Sequence, residues 1–559
     1  MSEVTSSRIP ARPKREPIGG ARIFGVLAYL AAAICLMPML AVVLASLGGG
    51  TGTVAQLAET VLPRYLGNTA ALVLLVSVGT FALGVGAAWL VTMTRFPGVR
   101  FFEIALVLPL AFPAYVLAYA YTFVLDHPGI VQSTLRSVMG WGPRDYWFPD
   151  IRSVGGAAMM LVLVLYPYVY LLARAAFLQQ SATAFLAARA LGASAFAAFW
   201  KVSLPMARPA IAAGVLLAVM ETIADFGTVA YFGVQTFATG IYTSWFAMAD
   251  RAAAAQLAMC LLIFALVLAV LERSQRGEAR YHNAGKRQHS LPPAQLHGGR
   301  ALAAFVLCAV PVVLGFALPA AILFEMGLGS EQDLTSRRYV GFIRNSITLA
   351  GVAALVTVAA AVCVGFHRRL RPGPSSAGAA YVTRLGYAVP GGVIAVGLMV
   401  PFAAFDNALD AWMRQSFDIS TGLLFTGSIW VLVMAYLVRF SAAALGAYEG
   451  GQAMVHPNMD AAARSLGQTP LGTLRRVHLP ILTPSLMTAL LIVFVDVMKE
   501  LPATLIMRPF NFDTLAVQAY RLASDERLEG AAVPSLVIVA VGLLPVILIC
   551  RQVGRGVAK

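Results

Sequence analysis

The sequence predicts an all-α polytopic membrane protein, about 12 transmembrane helices arranged as two parallel six-helix repeats. Three observations predict it. The 559-residue chain is 59% apolar and only 12% charged, roughly half the charge of a soluble globular domain. It holds twelve apolar stretches of bilayer length. A loop motif and a pair of acids recur 275 residues apart, and a span proline recurs 277 apart. This composition excludes a disordered chain and argues against a water-soluble enzyme.

The stretches run 23–47, 69–93, 102–125, 154–177, 209–232 and 253–271 in the first half of the chain. In the second half they run 301–323, 347–366, 385–405, 423–445, 484–506 and 531–550. Each must be helical, because lipid offers no partner to backbone N–H and C=O groups. The first is too long for a signal-peptide core of about 7–15 residues. It follows a basic leader, 1–22, with Arg8, Arg12, Lys14, Arg15 and Arg22. It is read as a retained span.

Charge orients the spans. With the N-terminus in the cytoplasm, the cytoplasmic segments hold 28 of the 41 Lys and Arg and the outer loops hold 12. Both termini are therefore expected inside. The net charge of +15 then has a membrane explanation, and no nucleic acid is needed. Six spans per half is an even number, so the repeats, 23–272 and 301–559, enter the membrane in the same orientation. The segment 273–300 is basic, contains Pro292-Pro293 and is expected to be a cytoplasmic linker. The five cysteines (Cys35, Cys260, Cys308, Cys363, Cys550) lie in apolar runs, with no disulfide or zinc pattern.

The sharpest motif lies in two cytoplasmic loops. One runs from Phe185 through Ala187, Ala188 and Gly192 to Leu204-Pro205; the other runs from Asp460 through Ala462, Ala463 and Gly467 to Leu479-Pro480. Each reads as helix, Gly turn, helix, Pro. Gly ends a helix at little steric cost, and Pro is expected to prevent a straight run into the next span. The short helix would then lie across the cytoplasmic face, exposing Phe196, Phe199, Trp200, Leu471 and Leu474 to a partner's groove.

These loops resemble the EAA loop of ABC-importer permeases, in which Glu-Ala-Ala is followed by three residues, Gly, nine residues, Ile or Val, any residue and Leu-Pro. Both copies depart at the acidic position, which holds Leu186 and Ala461, and Asp460 stands one residue early. The resemblance implies coupling loops that insert into separate ATPase subunits, two copies for two loops. It implies that this chain binds no cofactor and that ATP is used by the partners. Gly285-Lys286 lacks the surrounding pattern of a phosphate-binding loop. No catalytic arrangement appears within the spans, so the chain is not expected to be an enzyme.

Glu221 and Asp225 in the fifth stretch, and Asp496 and Glu500 in the eleventh, are each spaced i, i+4 on one helix face. Glu221 stands 16 residues beyond Pro205, about 24 Å along a helix, in the outer half of the membrane. An acid there costs roughly 2.5–3.5 kcal/mol and normally faces protein or water. Two readings stay open: a ring of carboxylates on the substrate pathway, or structural acids partnered by neighbours such as Lys499. Tyr115, Tyr119, Tyr121, Tyr231 and Tyr242 add hard oxygen atoms that suit a hard cation. The metal-ligand set is unknown.

The stretches 225–245 and 499–527 resemble fused iron(III) permeases of ABC importers. That implies a bacterial inner-membrane subunit that receives iron(III) from a periplasmic binding protein. Thiamine and phosphonate permeases share the architecture and are the alternative cargoes. An ion-coupled secondary transporter, using the acids as proton sites, is a more distant alternative.

Overall fold

The computed structural model describes residues 18–48, 56–57, 59–179, 182–278, 294–330 and 332–557. Most of the leader and the middle of the linker therefore lie outside the described residues, as does the Gly285-Lys286 pair. Among the described residues, eleven helices are long and apolar enough to cross a membrane, and a helix pair bent by 92° makes a twelfth span. Among the described residues, strand is confined to a parallel pairing of Thr94–Arg95 with Ala294–Gln295. The protein is an all-α, multi-pass membrane protein. Large apolar side chains such as Leu44, Val78 and Leu355 are exposed on its helices, where only lipid can cover them.

Four of the expected spans are not single helices. The expected 102–125 is helix Val99–Ala105, a 3-10 turn at Leu108–Ala111, and helix Ala114–Leu125. The expected 385–405 is helix Pro374–Leu385, a 3-10 turn at Gly386–Ala388, and helix Gly391–Phe417. The breaks have one cause. Pro113 and Pro390 stand at the N-caps of the second helices with extended backbone, ψ 140° and 146°. Neither can donate an N–H to a preceding turn, and each disfavours helix in the residue before it. Their 277-residue match in sequence is a match in structure.

The expected 209–232 is likewise divided. Helix Leu204–Ala224 stops at Asp225, and a short helix, Gly227–Tyr231, follows. The expected 484–506 divides at the same place: Leu479–Met498, then Pro502–Met507. The second half thus repeats the local breaks of the first.

Polar contacts repeat too. Asn68 Nδ2 donates to the Gln235 carbonyl (2.8 Å), and Asn345 Nδ2 to that of Asp513 (3.2 Å). Thr236 and Thr514 cap the helices that follow. Asn68 and Asn345 are thus equivalent residues of the two halves.

The two halves of the chain exchange their first helices. Ile18–Gly48 packs on Arg337–Leu370 and Gly391–Phe417 of the second half. A Cβ on Gly397 would come within 2.3 Å of the Pro38 carbonyl oxygen, so only glycine permits this crossing. Reciprocally, Gly315 lies against Pro109 and the Leu163 carbonyl of the first half. Cutting the chain between 272 and 301 therefore does not separate two independent bundles.

Candidate functional site

Two features recur at one end of the bundle and one lies between the halves. The first recurring feature is the Gly turn. Helix Ala182–Ala190 ends with Gly192 N–H donating to Arg189 O (3.1 Å) and Ala193 N–H to Ala188 O (3.1 Å). Helix Pro457–Ser465 ends with Gly467 N–H donating to Arg464 O (3.0 Å) and Gln468 N–H to Ala463 O (3.0 Å). Gly192 and Gly467 have φ of +88° and +75°, the left-handed region that a side chain disfavours. Ala187 and Ala462 accept the bonds from Leu191 and Leu466. The Ala-Ala and Gly of the motif thus form one helix-ending turn, built twice.

The second recurring feature corrects the expected role of the proline. Ala195–Ala198 passes through a π-helical turn, Phe199–Ser203, directly into Leu204–Ala224. Pro470–Thr473 does the same through Leu474–His478 into Leu479–Met498. Leu204-Pro205 and Leu479-Pro480 begin the long helices and do not turn the chain aside. The wider π turn gives the proline ring room where an α turn would press it against a carbonyl.

Exposure at these loops also departs from expectation. Phe196, Trp200 and Leu471 are exposed, but Leu474 is buried and Phe199 packs at a tilt against Trp89 (4.5 Å between ring centroids). Among the described residues of these loops, the most exposed apolar ones are instead Leu191 (89%) and Leu466 (79%), 275 apart and each just before its Gly. The repeat alone could have singled them out.

The two loops are tied down differently. In the first, Trp89 gathers Phe177, Phe185 and Phe199. In the second, Asp460 Oδ2 meets Arg369 Nε (2.6 Å) and Oδ1 meets His478 Nε2 (2.6 Å). Partial burial pushes the Asp460 carboxyl up, but bonds from His478 and Arg369 outweigh it and hold the group below its ordinary value. The early position of Asp460 thus still supplies an ionic anchor.

Between the halves lies a cavity of about 1160 Å³. All four acids singled out in the sequence line it. Arg368, Arg384 and Glu449 line it toward the Gly-turn end, where both arginines pair with Glu449. Contacts also join the halves, one of them between two residues that line the cavity, Tyr115 and Lys499. Tyr115 Oη donates to the Lys499 carbonyl (3.4 Å), and Arg152 reaches both Asp126 (3.0 Å) and Glu526 (2.8 Å).

The acids do two different jobs. Asp225 accepts from the N–H groups of Thr228 (3.1 Å) and Val229 (3.2 Å) and from the Thr228 hydroxyl (3.1 Å). Glu500 accepts from the N–H groups of Ala503 (3.0 Å) and Thr504 (3.1 Å) and from the Thr504 hydroxyl (2.8 Å). Each caps the short helix after its break. Glu221 instead accepts from Tyr387 Oη (3.1 Å) and faces Arg439 Nη2 (3.5 Å), both from the second half. Asp496 pairs with Lys499 (2.8 Å).

Of the five tyrosines expected as oxygen ligands, only Tyr115 lines the cavity; Tyr168, Tyr381 and Tyr387 line it instead. Tyr121 donates to the Leu314 carbonyl (2.6 Å), and Tyr231 lies beneath Arg152. Among the described residues, no group of three or more His, Cys, Asp and Glu is placed to hold a metal. Arg439 lies inside the apolar stretch 423–445 and was not among the expected site residues. The structure places it in the cavity.

The fold, the cavity and the doubled Gly-turn loops agree with those of an ABC-importer permease, the membrane component of a solute importer. Residues 81–277 match the family of binding-protein-dependent transport system inner membrane components. A binding protein and ATPase subunits are the partners that this class implies. The chain is 26% identical over 526 residues to the Fe(3+)-transport system permease protein FbpB 2 of Haemophilus influenzae, covering 92% of this chain and 95% of that one. It is 24% identical to the ferric transport system permease protein FbpB of Actinobacillus pleuropneumoniae, covering 79% of this chain and 64% of that relative's length. A 2-aminoethylphosphonate transport permease, PhnV of Salmonella typhimurium, is 26% identical over 44% of this chain and 92% of its own length.

Proposed function

We propose that this chain is the membrane subunit of an ATP-driven importer that moves iron(III) inward. The observation that carries the cargo is the nearly full-length similarity to a permease whose name specifies Fe(3+). In this reading the two repeats are 23–272 and 301–559, and both termini and the 273–300 linker lie in the cytoplasm. Ala187, Ala188, Gly192, Leu204 and Pro205 shape one ATPase-docking loop. Ala462, Ala463, Gly467, Leu479 and Pro480 shape the other, and each receives one copy of the ATPase. The matched Gly turns and the exposed Leu191 and Leu466 support this assignment.

A periplasmic iron(III)-binding protein docks at the opposite end and delivers cargo to the path between the halves. Glu221, Asp225, Asp496 and Glu500 border that path: Asp225 and Glu500 hold the helix breaks, and Glu221 and Asp496 face the cavity charges. ATP is bound and hydrolysed by the partners. A strain lacking its own ferric permease is the test. This chain, supplied with its ATPase and binding protein, is expected to restore uptake of radiolabelled iron. Restoration of 2-aminoethylphosphonate uptake without iron uptake would reassign the cargo.

A further inference from the structure

We infer that Arg439, assisted by Lys499, is a tethered counter-cation: it occupies the cavity carboxylates, so that ferric iron passes them without being retained. The inference rests on the iron reading above and concerns how the same site releases its cargo.

Arg439 projects from helix Trp430–Gln452 of the second half to Glu221 of the first. Its Nη1 also donates to the Val389 carbonyl (3.4 Å), which fixes the guanidinium from behind. Glu500 and Asp496 lie within its Coulombic reach. Lys499 covers Asp496. Asp225 and Glu500 commit their oxygens to backbone N–H groups. Four carboxylates therefore border one cavity, and each already has a partner.

That arrangement has a chemical consequence. Ferric iron is a hard cation, and free carboxylates beside the Tyr168 and Tyr387 hydroxyls would hold it. A transport site must bind weakly enough to let its ion leave. A guanidinium stays charged at every working pH. Held on the protein, it competes at an effective concentration on the order of millimolar or more, and it cannot be washed away. Glu221 returns to Arg439 as iron departs, so release needs no proton and no water to neutralise a buried acid. A merely structural ion pair would not change metal retention; this one does.

The full-length chain is placed in lipid nanodiscs, equilibrated with ferric citrate and desalted, and bound iron is measured by elemental mass spectrometry. Iron uptake by cells carrying the whole importer is measured in parallel. Wild type is expected to support uptake and retain little iron. Arg439→Gln is expected to retain roughly tenfold more and transport more slowly, as a stronger site requires. Arg439→Lys restores release, and adding Glu221→Gln to Arg439→Gln abolishes the extra retention. Lys499→Gln, which frees Asp496 and leaves the pair between the halves intact, raises retention independently should Arg439→Gln fold poorly. Wild-type uptake with no added retention in either variant overturns the tethered cation alone. Absence of iron uptake by wild type overturns the cargo assignment, and this inference with it.

Discussion

Gly192 and Gly467 adopt a backbone that a side chain resists, with open space where a Cβ would stand. Substitution there costs conformation and not packing, roughly 1–2 kcal/mol each. Gly192→Val and Gly467→Val are expected to leave the protein assembled while ATP hydrolysis by the complex no longer drives uptake. Paired hydrolysis and uptake assays check this, and undiminished coupling in the double variant would count against docking. Asp225→Ala and Glu500→Ala each remove a cap, at about 1 kcal/mol, and lower the thermal midpoint. Asp225→Asn keeps an accepting oxygen and is expected to fall between the alanine variant and wild type. The glycines, the alanine pairs and the four acids were legible as types at fixed spacing. Which acid caps and which faces a cation was not, because Asp225 and Glu221 look alike until the helix is seen to stop between them and the next turn.

At the scale of elements, the twelve runs of apolar residues were legible because lipid demands them. Their interruptions were only half legible. Pro113 and Pro390 were visible, but hydropathy does not register a break that buries its own polar groups. The π turns before Pro205 and Pro480 were missed because a proline after a loop reads as a stop, whereas a widened turn lets the helix run on. The unlike anchors of the two loops yield a prediction. The Asp460 carboxyl is held below its ordinary value. Its stabilisation is therefore complete above the unfolded-state carboxylate range and is lost as pH falls through the lowered folded value. On acidification, hydrogen exchange is expected to rise across 457–478 before it rises across 185–203, where the Trp89 cluster has no acid to protonate. Asp460→Asn should reproduce that loosening at neutral pH, and equal protection of the two loops in that variant would refute the anchor.

For the whole molecule, the repeat was legible from its offsets, but the exchange of first helices was not, since sequence spacing does not say which half a helix packs against. Contacts such as Pro38 on Gly397 make each half incomplete alone. Residues 1–285 and 286–559, produced as separate chains, are expected to co-purify when expressed together and to aggregate when expressed singly. Two halves that each fold alone would show the exchange to be dispensable.

The account's central claim is a passive gate worked by ATPases outside this chain. The direct measurement is iron accumulation in proteoliposomes that contain the chain with or without its ATPase, with the iron-loaded binding protein supplied. Accumulation is expected only with both ATPase and ATP, and to vanish when Gly192 and Gly467 are both replaced by valine. Accumulation by the chain alone, driven by an ion gradient, would contradict the account.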